Sequence, residues 1–395
     1  MYRSKILVLV LVVTLLVGLV AFGCAPKPAP APAPTPAPAP APATTPVPTP
    51  SPAPVPAPAP KPTPAPTPTP APAQAPAPIK WRIQSYAPTA DRAFQQTKNF
   101  CDMVTTLSGG RLIIEPFSSG AILPAGKEFE GLLRGGVEAI HGPDGWIVGM
   151  VPSAYVFGQQ VGGLTGAQTM FWNLAGGGHD LAQRAVKDLS VVFIDPLTVH
   201  PAEAWCMSNK ELKSLADIKG LKIRLGGQSL NDIFTRMGAS PVFLPGGEIY
   251  ESAKRGVIDA FEYVTPSVNW GMGFQEVAKY LYLSPVRAPF DRQSLWVNKD
   301  AYGKLSDDLK AMLLDSARAL VPTFFAESIV LDYQALDKFR SYGTKVLSVP
   351  KDIDDELLKQ GNKYADESAA KDPFYAEVLK TMRTYKDVCD QQNIR

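Results

Sequence analysis

Apolar residues recur at alternating and helical intervals in a regular order from residue 80 onward. Residues 80–84 (KWRIQ) alternate as a half-buried strand does, and residues 91–107 place apolar side chains three or four positions apart, as an amphipathic helix does. A strand at 111–117, a helix near 127–134 and a strand at 137–140 follow. Strands that alternate with helices in this way predict an α/β sheet.

The same order begins again near residue 221. The pattern there predicts a strand, a helix, a strand, a helix and a strand at residues 221–225, 229–237, 241–244, 248–255 and 257–263. The final third is predicted to be mainly helical, at 306–320, 322–342, 352–369 and 372–389. We therefore expect two α/β lobes, with a long helix around residues 324–339 that lies across both.

Two eleven-residue phrases occupy the same position in the two series. EGLLRGGVEAI begins at Glu130 and ESAKRGVIDAF begins at Glu251. Each has an Arg four residues after its Glu, the favourable orientation on a helix surface. Each then has a glycine, Gly135 or Gly256, where a left-handed helix end needs one. We interpret the phrases as one helix–strand unit used once per lobe; a chance likeness of two short segments is the alternative.

Residues 1–24 are predicted to be a secretory signal rather than part of the fold. Two basic residues precede an apolar run that ends in small residues before Cys24. This ending resembles a bacterial lipoprotein processing site with Cys24 as the lipidated residue, although Ala21 stands where leucine is usual. An uncleaved membrane anchor is the alternative. Either interpretation puts the rest of the chain outside the cytoplasmic membrane.

Residues 25–79 form a Pro/Ala-rich tract that holds 25 of the 40 prolines. Because proline fixes φ and lacks an amide donor, this tract is predicted to be a disordered linker of polyproline II character. We expect it to tether the folded part at a distance from the membrane.

Composition and charge narrow the function classes. Four of the 39 basic residues and none of the 37 acidic residues precede residue 80, so the folded part has 35 basic residues against 37 acidic ones. This near-neutral balance argues against nucleic acid as a partner. Besides Cys24, only Cys101, Cys206 and Cys389 remain, which allows at most one disulfide.

No catalytic motif stands out in the chain. It has no G-x-S-x-G, G-x-x-x-x-G-K-[ST], H-E-x-x-H or C-x-x-C, and its three histidines are not spaced for a metal. An extracytoplasmic body with two α/β lobes and no catalytic signature predicts capture of a ligand in the cleft between the lobes.

Residues 217–263 carry a specific resemblance. DIKGLKIRLGG, followed by MGASPVFLPGGEIYESAKRGVIDAFEY, resembles the substrate-binding subunits of tripartite ATP-independent periplasmic (TRAP) transporters, the DctP-like family. LSGGRLIIEPFSSGAILPAGKEFEGLLRGGVEAI, GLTGAQTMFWNLAGGGHDL and SNKELKSLADIKGLK agree in the same order, over roughly residues 80–345. GGGHD and RLGG resemble the subgroup that binds 2-oxo acids and lactate.

The resemblance implies an α/β, two-lobe fold like that of periplasmic binding proteins, with a long helix spanning both lobes and a helical C-terminus. Lobe I would comprise residues 80–203 with about 291–335, and lobe II residues 204–290 with about 336–395. It implies a periplasmic or outer-face lipoprotein that closes on a small organic acid. The protein would deliver the acid to the membrane subunits of a TRAP transporter.

The resemblance implies that Arg224, in K-I-R, binds the ligand carboxylate, which a guanidinium can hold by two parallel hydrogen bonds. A surface ion pair is the alternative for Arg224. Glu262 matches the acid that, with a main-chain oxygen, holds a cation bridging to the ligand. Calcium or sodium, both hard cations, suits such oxygens. Tyr263 stands where the subgroup has Trp. Without the resemblance, Glu262 would be a solvated charge at a strand end.

Glu203 matches a position where the subgroup has Gln, and an acid there would repel an anionic ligand. Three explanations are open: a cation of higher charge between Glu203 and Glu262, a ligand with an amine, or a Glu203 side chain that faces elsewhere. We adopt the bound cation, with Glu262, Glu203 and Asp291 as its ligands. Asp291 comes from the stretch 286–292, in place of a glutamate that relatives have there.

Tyr86 and Trp146 follow the ends of strands, where ligands bind in open α/β sheets, and are predicted to form aromatic walls of the cleft. Trp205 is a further candidate, and burial in the core is the alternative for each. Two other functions stay open. One is a tethered sensor that presents its ligand to a receptor, and the other is an enzyme with Glu203 and Glu262 as an acid/base pair.

Overall fold

The computed structural model describes residues 77–394. The predicted signal peptide at 1–24, the lipidation site Cys24 and residues 25–76 of the predicted linker lie outside the described residues. Within the part that the structure describes, no helix is both long and apolar enough to cross a membrane.

The strands form two β-sheets. They are β1 (Ile79–Ser85), β2 (Leu112–Phe117), β3 (Ala139–Pro143), β4 (Val191–His200), β5 (Ala204–Ser208), β6 (Lys222–Arg224), β7 (Ser240–Val242), β8 (Ala260–Phe261), β9 (Tyr280–Leu283), β10 (Asp291–Asn298) and β11 (Lys345–Ser348). The first sheet has five strands in the order β2-β1-β3-β10-β4, and the second has six in the order β11-β9-β5-β8-β6-β7. Strands β1, β2 and β3 are parallel to one another, as are β6, β7 and β8.

Helices connect and cover the strands. They are α1 (Arg92–Leu107), α2 (Glu128–Leu133), α3 (Ala154–Gly158), α4 (Gly166–Ala175), α5 (Gly178–Ala185), α6 (Gln228–Arg236), α7 (Ile249–Lys254), α8 (Pro266–Gly271), α9 (Lys299–Gly303), α10 (Asp307–Tyr342), α11 (Lys351–Ala369) and α12 (Pro373–Gln391). Short 3₁₀ helices lie at Asp144–Ile147, Leu215–Ile218, Gly246–Glu248 and Phe274–Glu276. The predicted α/β fold with a helical C-terminus is confirmed.

Helix α10 runs through Pro322 without interruption, although the sequence pattern predicted two helical segments on either side of it. Proline removes one backbone donor, but the buried side chains of Val321 and Phe324 hold this part of the helix against the fold. The helix packs on β4 of the first sheet and on β11 of the second. The prediction of a long helix that contacts both halves of the fold is therefore confirmed.

Each sheet has an apolar cluster beside it. Ile83 and Leu313 belong to the cluster of the first sheet, and Ile249 and Leu281 to that of the second. A third and larger cluster contains residues of both sheets, among them Phe193 of β4 and Tyr282 of β9. The cysteines of the described part are all buried and free: Cys101, Cys206 and Cys389.

Two short segments carry the chain between the sheets. Residues 201–203 connect β4 to β5, and residues 284–290 connect β9 to β10. These crossing segments lie side by side, because the amide of Glu203 donates to the carbonyl oxygen of Ala288 at 3.0 Å. Side chains on these segments therefore lie where the two halves of the fold meet.

The two eleven-residue phrases adopt the same backbone structure. Gly135 follows helix α2 with φ +73°, and Gly256 follows helix α7 with φ +70°, both in the left-handed region. A strand comes next in each case, β3 and β8. The predicted helix–strand unit is confirmed in both halves.

The side chains of the two phrases differ more than their backbones. Glu251 pairs with Arg255 at 3.4 Å, as predicted, whereas Glu130 pairs with Lys127 at 2.8 Å instead of with the following arginine. Strand β8 is also shorter than predicted, because the chain leaves the ladder after Phe261. The next two residues turn into the space between the sheets.

Candidate functional site

A small cavity lies between the two sheets and offers about 30 Å³ to the centres of water molecules. Such a space holds about two waters. Of the seven predicted site residues, Glu203 does not line the cavity. The other six do: Tyr86, Trp146, Arg224, Glu262, Tyr263 and Asp291. Tyr86 and Trp146 follow β1 and β3, and Arg224 and Glu262 lie at the ends of β6 and β8. The ends of parallel strands from both sheets therefore converge here.

The wall from the first sheet is mainly aromatic, with the carboxyl group of Asp291 at the start of β10 beside it. Trp146 meets Tyr86 edge-on with ring centroids 5.9 Å apart, and it meets Phe243 in the same way at 5.7 Å. Since Phe243 follows β7 of the second sheet, Trp146 covers the cavity from one sheet to the other. The Tyr86 hydroxyl is buried without a hydrogen-bond partner among residues 77–394, and burial raises the pKa of Tyr86 well above its usual value. The cavity wall therefore contains the neutral hydroxyl group of Tyr86, which has no hydrogen-bond partner in the described part of the chain.

Arg224 is the last residue of β6 and is only 2% exposed. Its Nε donates to the Leu244 carbonyl at 2.8 Å, and its Nη1 donates to both the main-chain oxygen and Oε1 of Glu262, each at 2.8 Å. Nη2 has no hydrogen bond to any described residue. The alternative of a surface ion pair is wrong, because Arg224 is held inside the cavity wall with one donor group unused.

Glu262 and Tyr263 continue the wall from the second sheet. Glu262 is 1% exposed, so it is a buried charge and not a solvated one. Its Oε1 also accepts a short hydrogen bond from the Gly226 amide. The Tyr263 hydroxyl donates to Asp91 Oδ2 at 2.7 Å, and Asp91 caps helix α1. Burial raises the pKa of Asp91, although the Tyr263 bond opposes that rise.

Sequence reasoning missed Arg287, which lies in the crossing segment 284–290 and is fully buried. Its Nη2 makes a short ion pair with Glu203, and its Nη1 lies 3.3 Å from Glu262 Oε2. Nε and Nη2 also donate to the carbonyls of Trp205 and Ala204, each at 2.8 Å. The unbalanced pair of acids was itself a signal, because a counter-charge stabilises two neighbouring buried carboxylates.

The remaining acids share this buried environment. Burial raises the pKa of Glu203 well above its usual value, and Arg287 only partly offsets this. Burial and the charge of Glu262 raise the pKa of Asp291 to about 7, although the neighbouring side chains of Glu203 and Gln293 oppose this rise. Asp291 is therefore close to half-protonated at neutral pH.

Nitrogen donors surround the carboxylates of the three predicted cation ligands in this structure. Five of the six carboxylate oxygens of Glu203, Glu262 and Asp291 already accept hydrogen bonds from nitrogen donors. Asp291 Oδ1 alone has no partner among the described residues. No group of three or more His, Cys, Asp or Glu side chains within residues 77–394 is arranged to hold a metal ion. The positive charge between Glu203 and Glu262 comes from Arg287.

Two other places in the described part of the chain are less suited to hold the ligand. Trp205 is fully buried against Phe234, with ring centroids 5.6 Å apart, and so belongs to the core. A surface depression of about 540 Å³ is bordered by Lys254, Tyr280 and Lys345, and none of the predicted site residues lines it. The cavity between the sheets is therefore the candidate site.

Comparison with known proteins places the chain in a family. Residues 83–372 match the model of bacterial extracellular solute-binding protein, family 7, DctP. The chain belongs to this family of extracytoplasmic solute-binding proteins, whose role is in transport and not in catalysis. The resemblance identified from the sequence is confirmed.

One curated relative and two solved structures are similar to most of the chain. A protein of Nostoc sp. described as a monocarboxylate 2-oxoacid-binding periplasmic protein is 28% identical over 312 residues, which cover 78% of this chain and 84% of that protein. A TRAP periplasmic solute-binding protein from Colwellia psychrerythraea, solved with bound calcium and pyruvate, is 27% identical with a TM-score of 0.75 over 80% of this chain and 96% of its own. One from Pseudoalteromonas atlantica, solved with sodium and pyruvate, is 25% identical with a TM-score of 0.76 over the same shares. Calcium or sodium thus accompanies the acid in structural neighbours.

Proposed function

We propose that this protein is the solute-binding component of a TRAP transporter and captures a small monocarboxylic acid with a 2-oxo or 2-hydroxy group. The observation that carries the proposal is Arg224, a buried guanidinium at the cavity wall whose Nη2 has no partner among the described residues. The pyruvate in two structural neighbours and the description of the Nostoc relative support this ligand class.

Each wall of the cavity contacts a different part of the ligand in this proposal. The acid's carboxylate accepts a hydrogen bond from Nη2 of Arg224, and such charge-assisted bonds are the strong ones. The unpaired Tyr86 hydroxyl is suited to donate to the oxo or hydroxyl oxygen. Trp146 and Tyr263 cover the faces of the ligand. The small volume of the cavity favours an acid of few atoms.

Binding is coupled to closure of two lobes in this proposal. Lobe I is residues 80–203 with about 291–335, lobe II is residues 204–290 with about 336–395, and the crossing segments 201–203 and 284–290 act as hinges. Each sheet has an apolar cluster of its own, in addition to the cluster that both sheets share. Opening would break the contact of Trp146 with Phe243.

The predicted membrane tether completes the proposal. Cys24 would carry the lipid, and residues 25–79 would let the body reach the membrane subunits that accept the acid. Cys24→Ser should release the full-length protein from the membrane to the soluble extracytoplasmic fraction. Retention of the variant at the membrane would contradict the lipid anchor and favour an uncleaved helix.

No reaction on the acid is part of this function. Glu203 and Glu262 both pair with Arg287, which makes them poorly suited to act as a free acid/base pair. Pyruvate or lactate incubated with the protein should remain unchanged by NMR. Turnover would support the enzyme alternative instead.

The direct test is a thermal-shift screen of the purified protein against pyruvate, 2-oxobutyrate, lactate, acetate and succinate. A ligand at 100 times its Kd adds about 2.7 kcal/mol of stability, so the 2-oxo and 2-hydroxy acids should raise Tm clearly. A panel in which no monocarboxylate raises Tm, or in which succinate alone does, would contradict the proposed ligand class.

A further inference from the structure

A guanidinium occupies the position between two buried acids of the site. Arg287 is 0% exposed and contacts Glu203 and Glu262, which are themselves 2% and 1% exposed. Its three nitrogens all donate, to the two carboxylates and to two main-chain carbonyls. A residue with so many partners is held in one orientation, so its charge is a fixed part of the site.

Arg287 supplies, between Glu203 and Glu262, the positive charge that the sequence led us to expect from a bound cation. A positive charge between them stabilises two carboxylates that are buried side by side. Calcium would need six to eight oxygen ligands, but Arg287 and other nitrogen donors already point at five of the six available carboxylate oxygens.

We propose that Arg287 takes the place of a bridging metal ion, so that this protein binds its acid without calcium or sodium. This inference rests on the proposed function, since it concerns how the same cavity holds an organic acid. It differs from the arrangement in the neighbours that contain calcium or sodium with pyruvate.

Arg287 acts on the ligand through Glu262. It donates to Oε2 of Glu262, whose Oε1 and main-chain oxygen hold Nη1 of Arg224. This chain of contacts keeps Nη2 of Arg224 directed at the cavity. Arg287 is therefore a positioning residue, and it also ties the two crossing segments together through Glu203.

The first test uses the unaltered protein. The protein is dialysed against a chelator and then into a sodium-free buffer, and pyruvate binding is measured by calorimetry with tetramethylammonium, sodium or calcium as the only added cation. The Kd should change less than about twofold among the three. A loss of binding of tenfold or more without metal, restored by calcium or sodium, would overturn the inference. Absence of pyruvate binding in every buffer would instead refute the proposed function.

The second test creates the need for a metal. Arg287→Gln leaves Glu203 and Glu262 without their shared counter-charge, so millimolar calcium should raise the Tm of this variant and not that of the parent protein. Arg236→Gln is the control, because Arg236 pairs with Glu367 at the surface, 2.9 Å away. Equal stabilisation of all three proteins by calcium would count against the inference. If Arg287→Gln does not fold, the metal-free binding of the parent protein still decides the question.

Discussion

The two eleven-residue phrases begin alike and end differently. Both place a helix, a left-handed glycine and a strand in the same order. After the first phrase the chain reaches Trp146, an uncharged cover, and after the second it reaches Glu262 and Tyr263, next to Arg224. One backbone unit thus occurs twice, and the difference in chemistry lies in the few residues that follow each copy.

This asymmetry separates two tasks in binding. In the proposed function, Arg224 of the second sheet recognises the acid, and the aromatic side chains that follow β1 and β3 of the first sheet cover it. We therefore expect substitutions in the second sheet's wall to weaken binding more than substitutions in the first sheet's wall.

The largest effect is expected from Arg224→Gln. Loss of a charge-assisted hydrogen bond costs about 2–3 kcal/mol, or roughly 30- to 150-fold in Kd. Calorimetric titration with pyruvate measures this directly, and circular dichroism shows whether the variant is folded. Arg236→Gln, which removes a surface arginine, should bind as the parent protein does. Parent-like affinity in Arg224→Gln would show that the second sheet does not provide the carboxylate site.

A smaller effect is expected from Trp146→Leu on the other wall. The two edge-on contacts of Trp146, with Tyr86 and Phe243, are worth about 0.5–1.5 kcal/mol each. Pyruvate binding should weaken by about tenfold, mainly through faster release that stopped-flow fluorescence can follow. Phe171→Leu replaces an exposed aromatic and serves as the control. A loss as large as that of Arg224→Gln would remove the proposed asymmetry between the walls.

The residues of the two cavity walls could be predicted from the sequence, but the network of charges around Arg287 could not. Tyr86 and Trp146 were predicted because each follows a strand, and such ends converge in α/β folds. Arg224 and Glu262 were implied by the resemblance to the DctP-like family. Arg287 was missed because it lies in an irregular segment without periodicity. Its partner Glu203 is 84 residues away, and no local pattern links them.

The pH dependence of binding tests the acid at the cavity's edge. The pKa of Asp291 is about 7 in the fold, above its usual value, because of burial and Glu262. Asp291 is thus neutral below pH 7 and negative above it, where it repels an anionic ligand. Pyruvate affinity should therefore fall by up to about tenfold from pH 6 to pH 8. Asp291→Asn should bind equally at both values; a pH dependence that persists in this variant would assign it to another group.

The raised pKa of Asp291 also affects the free energy of unfolding, in the opposite direction from an acid whose pKa is lowered on folding. Because the pKa of Asp291 is raised on folding, the folded state holds a proton that the unfolded state has lost between about pH 4 and pH 7. The contribution of Asp291 to the free energy of unfolding is therefore present at low pH and lost as pH rises to about 7. Urea unfolding of the parent protein and of Asp291→Asn across this range measures the difference.

The smallest effects on binding are expected from Gly135→Ala and Gly256→Ala, which compare the two phrases directly. Both glycines have positive φ, and an added Cβ would meet no atom within 4 Å at either position. The cost is therefore backbone strain alone, about 1–2 kcal/mol of unfolding free energy at each site. Gly303→Ala is the control, because Gly303 also has open space but lies within helix α9 without a left-handed φ. Equal losses at Gly135 and Gly256 in urea unfolding, with unchanged pyruvate affinity, would show that the two copies are equivalent as scaffold. Unequal losses would mean that one phrase depends on contacts beyond its own backbone.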